Sequence, residues 1–229
     1  MRYRDRVQAG QVLASRLAAF ADRSDVLVLA LPRGGVPVGY EVAADLHVPL
    51  DVFVVRKLGL PGQPELAMGA IASGGTRVLN PEVVEYLGVP ASVIDAVAAE
   101  EQRELERRER RYRGDVPPPA IDGRTIILVD DGLATGSTMR AAAAAARQCD
   151  PAAVIVAVPV APPTTCDALK GDPAVDDVVC PVRPEYFSAV GLWYENFAQT
   201  TDEEVRDLLD RARRAAWSRR EPVSPQEGK

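Results

Sequence analysis

Apolar runs without an alternating period recur along the chain, within Asp25–Leu31, Leu50–Val55, Thr125–Val129, Ala153–Val160 and Val175–Cys180. Continuous β-branched and aliphatic runs of this length read as strands buried on both faces of a parallel sheet. Between them the period changes to that of a helix. Val7, Val12, Leu13, Leu17 and Phe20 place an amphipathic helix over Arg6–Phe20, expected only to cover the sheet, and further helices are predicted from about Val38 to Leu46, from the Gly136 loop to Arg147, and over Pro163–Lys170. Ala67–Ala72 and Arg77–Leu79 flank Ser73-Gly74-Gly75-Thr76 as an antiparallel hairpin. Strands alternating with helices predict an α/β fold with a doubly wound parallel sheet, whose ligands lie beyond the carboxyl ends of the strands.

The pattern breaks twice. Residues 81–120 read as a helical insertion in which Glu100–Arg113 is almost all charge. The pairs Glu104/Arg108, Glu106/Arg110 and Glu109/Arg113 have the i,i+4 spacing that supports a solvated or subunit-bridging helix by about 0.3 kcal/mol each. Val116-Pro117-Pro118-Pro119 then forms a stiff linker. Residues 181–216 form a small C-terminal cap, with Thr201-Asp202-Glu203-Glu204 as an N-cap and acidic first turn, and residues 221–229 read as a disordered tail. The chain is thus expected to be a single domain, 1–229, around a core of 25–180.

Composition narrows the chemistry. The 229 residues suit one domain of ordinary size. A net charge of −6 provides no general drive toward nucleic acid, and the interleaved glutamates weaken any patch made by Arg103, Arg107, Arg110 and Arg111. No apolar run is long enough for a bilayer and the first residues lack a secretory apolar region, so a cytoplasmic location is expected. Cys149, Cys166 and Cys180 are too dispersed for a disulfide framework or zinc site. The single histidine, His47, reads as a surface turn residue and disfavours histidine-based triads and multi-histidine metal sites.

The chemically richest stretch is Ile126–Thr138, IILVDDGLATGST. A buried strand delivers Asp130 and Asp131, acceptors for sugar hydroxyls. Ala134, Thr135, Gly136, Ser137 and Thr138 follow as a loop of hydroxyls and backbone amides at a helix start, where orphan N–H groups and the helix dipole favour an anion. Pro32-Arg33-Gly34-Gly35 follows the first strand; its glycines allow close backbone approach and Arg33 can add a charge-assisted contact.

The stretch Ile126–Thr138 resembles the 5-phosphoribosyl 1-diphosphate (PRPP) signature of type I phosphoribosyltransferases. The resemblance implies that Asp130 and Asp131 bind the ribose hydroxyls, that Ala134–Thr138 bind the 5′-phosphate, and that Arg33, Gly34, Gly35, Arg56 and Lys57 bind the diphosphate, with Arg33 and Lys57 assisting its departure. It further implies Mg²⁺ carried mainly by PRPP, without an assigned protein ligand, and a mobile lid over the site, for which Leu58–Glu65 has the glycines and prolines. Trp193 and Tyr194 are the candidates for the base site, against the alternative that the cap aromatics simply pack on the core. Where the 6-oxopurine branch has an aspartate, this chain has Ala134, and DDGLATGST looks more like the adenine-specific version, although the insertion and cap do not. The implied activity is transfer of phosphoribosyl from PRPP to a nitrogen acceptor, with nucleotide metabolism as its setting and a homodimer as an open option. A PRPP-binding regulator without turnover is the alternative; PRPP synthesis lacks an ATP-binding P-loop.

Overall fold

The computed structural model describes residues 2–218. Its centre is a five-stranded parallel sheet, built from β1 (Val26–Ala30), β2 (Leu50–Val52), β6 (Thr125–Val129), β7 (Ala153–Ala157) and β8 (Asp177–Val179), in the order β2-β1-β6-β7-β8. Alternate residues serve opposite cores. Val26, Val28 and Ala30 of β1 face one apolar cluster with Ile127 and Val129 of β6, whereas Leu27, Leu29, Ile126 and Leu128 face the other. Burial on both faces explains the unbroken apolar runs. The expected doubly wound sheet is therefore present.

Helices cover both faces. On one lie α2 (Gly35–Leu46), α4 (Ala91–Arg113) and α7 (Asp202–Ser218), which contribute Val42, Leu105 and Leu209 to the first cluster. On the other lie α5 (Ser137–Arg147) and α6 (Pro163–Lys170), which contribute Met139 and Cys166 to the second. The alanines of α5 do what small side chains permit: Ala142, Ala143, Ala145 and Ala146 are fully buried against the sheet. The opening helix α1 (Arg6–Arg16) is capped by Asp5, whose side chain accepts from Gln8 N, and it ends short of Phe20, with Ala18–Phe20 forming a 3-10 turn.

The second predicted strand required correction. It stops at Val52, and the chain crosses at Val55 into a separate three-stranded antiparallel sheet of β3 (Val55–Leu60), β4 (Gln63–Ala72) and β5 (Thr76–Leu79). The hairpin around residues 73–76 occurs as β4 and β5, and the segment expected as a lid is the β3–β4 hairpin, turning at Gly62 with φ 82°. The Glu65 side chain and the tail 221–229 lie outside the described residues.

The insertion consists of α3 (Pro81–Tyr86) and α4. Contrary to the expectation of a solvated helix, α4 buries Ile94, Ala98, Leu105, Tyr112 and Arg113. The Glu104–Arg108 pair forms at 2.8 Å, but Glu106 accepts from Gln102 instead of pairing with Arg110. Glu109–Arg113 is part of a buried cluster in which Arg113 also meets Asp51 at 2.8 Å and donates to Val52 O. His47 is exposed, ends α2 in the left-handed region, and meets Asp22 at 3.0 Å; Cys149, Cys166 and Cys180 are free thiols. No described helix is long and apolar enough to cross a membrane.

Candidate ribose-phosphate site

From β1 the chain proceeds outward to β2, and from β6 it proceeds the other way to β7, so the winding reverses between these adjacent strands. The crevice at such a reversal is where open α/β sheets bind ligands. Ala30 and Val129 are in register, which starts the loops after both strands at the same level. Each loop runs directly into a helix, α2 or α5, so two helix N-termini face one crevice. At α2 the Gly35 and Val36 amides already donate to Leu31 O and Arg33 O, and Pro37 has none to offer.

The two loops touch. A Cβ placed on Gly34 would lie 2.7 Å from Asp131 Cγ, and one on Gly35 would lie 2.7 Å from Val129 O and 2.9 Å from Asp130 Cα. Glycine at both positions is therefore a packing requirement that brings the Arg33–Gly35 backbone against the acidic pair. In the second loop Leu133 N donates to Val160 O and Thr165 Oγ1 donates to Ala134 O, holding the turn from beneath. Gly136 has φ 72° and is buried against Thr165, whereas Ala134, Thr135, Ser137 and Thr138 are exposed. The result is a fixed shelf of hydroxyls at the start of α5.

Electrostatically the acidic pair is held under tension. Burial pushes Asp130 well above the ordinary carboxylate range, reinforced by the neighbouring Asp131. Burial also raises Asp131, but Arg6 opposes the shift through an ion pair at 2.8 Å. Arg6 went unrecognised in the sequence because nothing in an amphipathic opening helix indicates a partner 125 positions away. It makes α1 part of the site rather than only a cover.

The other expected residues separate into those that converge and those that do not. Arg33 lies on the loop, half-exposed, and approaches Asp202 at the start of α7 to 3.9 Å. Asp202 also receives Arg111 of α4 at 3.0 Å and the Tyr112 hydroxyl at 2.9 Å; burial, then this carboxylate, push Tyr112 up to about 12. Arg56 and Lys57 do not close β2 but sit in β3, on opposite faces. Arg56 turns to α4, pairing with Glu101 at 2.6 Å, so its assignment to the diphosphate is not supported by this geometry. Lys57 is exposed on the face shared with Val55, which packs on the cluster containing α5.

Tyr194 requires a correction as a base-site candidate. Its ring is buried between Tyr3 and Phe197, with centroids at 5.6 and 5.0 Å, and its hydroxyl donates to Asp131 O. No face remains for a base; the residue braces the acidic turn. Trp193 is half-buried and stacks on Phe187 at 6.4 Å. The cap also reaches the loop through Val190, whose side chain occupies the space beside Gly132.

A sheet crevice with paired carboxylates, a glycine loop against them and a hydroxyl-rich helix start defines an α/β domain suited to a phosphorylated sugar. The family model described as the phosphoribosyl transferase domain matches residues 5–181, and the chain belongs to that family. The match begins within the turn that caps α1, ahead of the core boundary at residue 25 expected from sequence. Two Mycobacterium tuberculosis sequences, MT0597 and Rv0571c, each named "putative phosphoribosyl transferase", are 49% identical over 210 residues. The match covers 92% of this chain and 47% of theirs, so the chain spans about half the length of these relatives. The crystal structure of TT1426 from Thermus thermophilus is 44% identical, covers 91% of this chain and 98% of its own, and superposes with a TM-score of 0.82.

Proposed function

We propose that this domain is a phosphoribosyltransferase that uses PRPP, transferring the 5-phosphoribosyl group to a nitrogen acceptor such as a nucleobase and releasing diphosphate. The observation that carries this reading is the junction of the Gly34–Gly35 backbone with Asp130 and Asp131 between the N-termini of α2 and α5. One such crevice offers acceptors to a ribose diol and donors to phosphates on either side of it. Asp130 and Asp131 hold the 2′- and 3′-hydroxyls, and the Ala134–Thr138 shelf holds the 5′-phosphate.

In the reaction the bond from C1 to the diphosphate oxygen breaks, a nitrogen lone pair forms the new bond to C1, and the acceptor loses a proton. Positive charge develops on the ribose and negative charge on the leaving group, so electrostatic stabilisation is the main requirement. The Arg33 and Gly34 amides receive the diphosphate, whereas the Gly35 amide, expected from sequence to share in this, already donates to Leu31 O and shapes the loop. The Arg33 side chain joins the diphosphate on leaving Asp202, and Lys57 adds a second cation from β3. Among the described residues no three His, Cys, Asp or Glu side chains converge as a metal cage. No side chain is assigned to Mg²⁺, which PRPP oxygens would carry and which, when bound, would offset diphosphate charge. Trp193 is the remaining aromatic candidate for the acceptor side.

The test is calorimetric titration of PRPP with Mg²⁺ into the wild type and Asp130→Asn/Asp131→Asn, followed by a scan of nucleobases for diphosphate release. Binding lost in the double variant, with release for one base, supports the transferase and names its acceptor. Binding without release for any base supports a PRPP-binding regulator, and no binding refutes the site.

A further inference from the structure

Arg6 is the first residue of α1, held there by the Asp5 cap. Its Nε and Nη2 both lie 2.8 Å from Asp131 Oδ2, its Nη1 donates to Ala198 O at 2.7 Å, and its guanidinium lies 4.0 Å over the Phe197 ring. The two charged side chains are only 12% and 14% exposed. A guanidinium used on all three nitrogens and stacked on an aromatic ring is fixed in orientation, which a lysine ammonium cannot reproduce in full. Among the described residues Arg6 is the one cation ion-paired with the acidic pair.

The remaining groups around Asp131 do not replace that charge. Asp130 is a second acid, the Tyr194 hydroxyl serves the Asp131 carbonyl rather than its carboxylate, and the neighbouring Arg33 directs its side chain to Asp202. A carboxylate in this enclosure accepts a sugar hydroxyl well only if it is ionised and cannot rotate.

We infer that Arg6 is a positioning residue of the PRPP site, supplying the counter-charge and the orientation that let the Asp131 carboxylate accept a ribose hydroxyl. The inference rests on the PRPP reading given above. It makes α1 and the cap, joined through Arg6, Ala198 and Phe197, determinants of sugar affinity although neither carries a signature residue.

Removing the cation takes away the main influence that opposes burial at Asp131 and leaves the hydrogen bonding from Asp130 and the backbone as the remaining opposition. Its titration therefore moves upward, and PRPP affinity is lost at a higher pH on acidification. The experiment titrates PRPP with Mg²⁺ into the full chain and its Arg6→Met and Arg6→Lys variants from roughly pH 5 to 9, with melting temperatures in the same buffers. Ionisation of PRPP itself is common to all three. The expected result is an affinity loss of about tenfold or more for Arg6→Met near neutral pH, an upward shift in the pH of half-maximal binding, and recovery of most of that shift by Arg6→Lys. Equal affinity in wild type and Arg6→Met overturns the inference while leaving the PRPP site standing. A uniform weakening with an unmoved pH midpoint and a lower melting temperature also overturns it, because Arg6 then only anchors α1. Absence of PRPP binding in the wild type overturns the site reading and the inference together.

Discussion

Gly34→Ala tests whether the contact between the Arg33–Gly35 loop and the acidic pair sets function. Gly34 has φ −60° and ψ −31°, right-handed helical values that alanine adopts freely, so the backbone is not strained by the change. The added methyl, however, would lie 2.7 Å from Asp131 Cγ, where ordinary contact begins at 3.4 Å. Either the carboxylate or the loop has to retreat, by roughly 1 Å once the nearer oxygen is included. A retreat of the carboxylate stretches the 2.8 Å pair with Arg6 beyond hydrogen-bond range. Overpacking of this kind costs about 1–3 kcal/mol, and a weakened charge-assisted bond about 1.5–3 kcal/mol, against a gain of about 0.4–1 kcal/mol from stiffening the unfolded chain. The two costs overlap because one movement causes both, so a net loss of about 2 kcal/mol is expected, lowering the melting temperature by about 4–8 °C. PRPP affinity should fall by about 10- to 100-fold, because a charge-assisted hydrogen bond lost between the displaced carboxylate and a ribose hydroxyl costs about 1.5–3 kcal/mol. Calorimetric titration and thermal melting read the two effects. An alanine variant that binds PRPP and melts like the wild type would refute the reasoning.

Asp130→Asn should stabilise the empty domain at neutral pH. The folded-state pKa of Asp130 lies above its unfolded value, so the folded state binds the proton more tightly; this contribution is present at low pH and disappears as pH rises through the folded value. The melting temperature of the variant should exceed that of the wild type near pH 8, with the gap closing near pH 4, while PRPP binding is lost; a lower melting temperature near pH 8 contradicts the assignment. Arg113→Met leaves Asp51 and Glu109 without their shared buried cation and should cost about 3–5 kcal/mol in denaturant unfolding, whereas a change below about 1 kcal/mol would show that α4 is not stapled to β2 through this cluster.

Periodicity carried the layer architecture because burial on both faces leaves an unbroken apolar run, and this holds for β1, β6 and β7. The α6 helix appears over Pro163–Lys170 as expected, where proline at the first turn and Gly171 at the end mark its limits. The motif after β6 was legible for a different reason: acidic pair, loop and helix start are consecutive, so local geometry assembles them. Charge density in α4 concealed its buried face, since a handful of apolar residues spread along 23 positions suffices to pack a helix whose arginines also find buried partners. Arg56 and Lys57 were misread as a pair because the end of β2 and the strand alternation beyond it depend on where the chain leaves the sheet.

The sequence by itself determined the strands of the central sheet apart from the end of β2, that this sheet is parallel, and that Asp130, Asp131 and the Thr135–Thr138 turn form one local unit, because each is encoded in neighbouring residues. Only the tertiary structure decided that Arg6 from the first helix pairs with Asp131, that Asp202 engages Arg33, and that Tyr194 braces the acidic turn instead of presenting its ring. Even the shortest of those contacts joins residues 63 positions apart. Their side chains are ordinary in composition, and a guanidinium on a helix surface looks the same in sequence whether it meets water or a buried carboxylate. What selects between the two is the packing of whole elements, which brings α1, α7 and the cap over the crevice between β1 and β6.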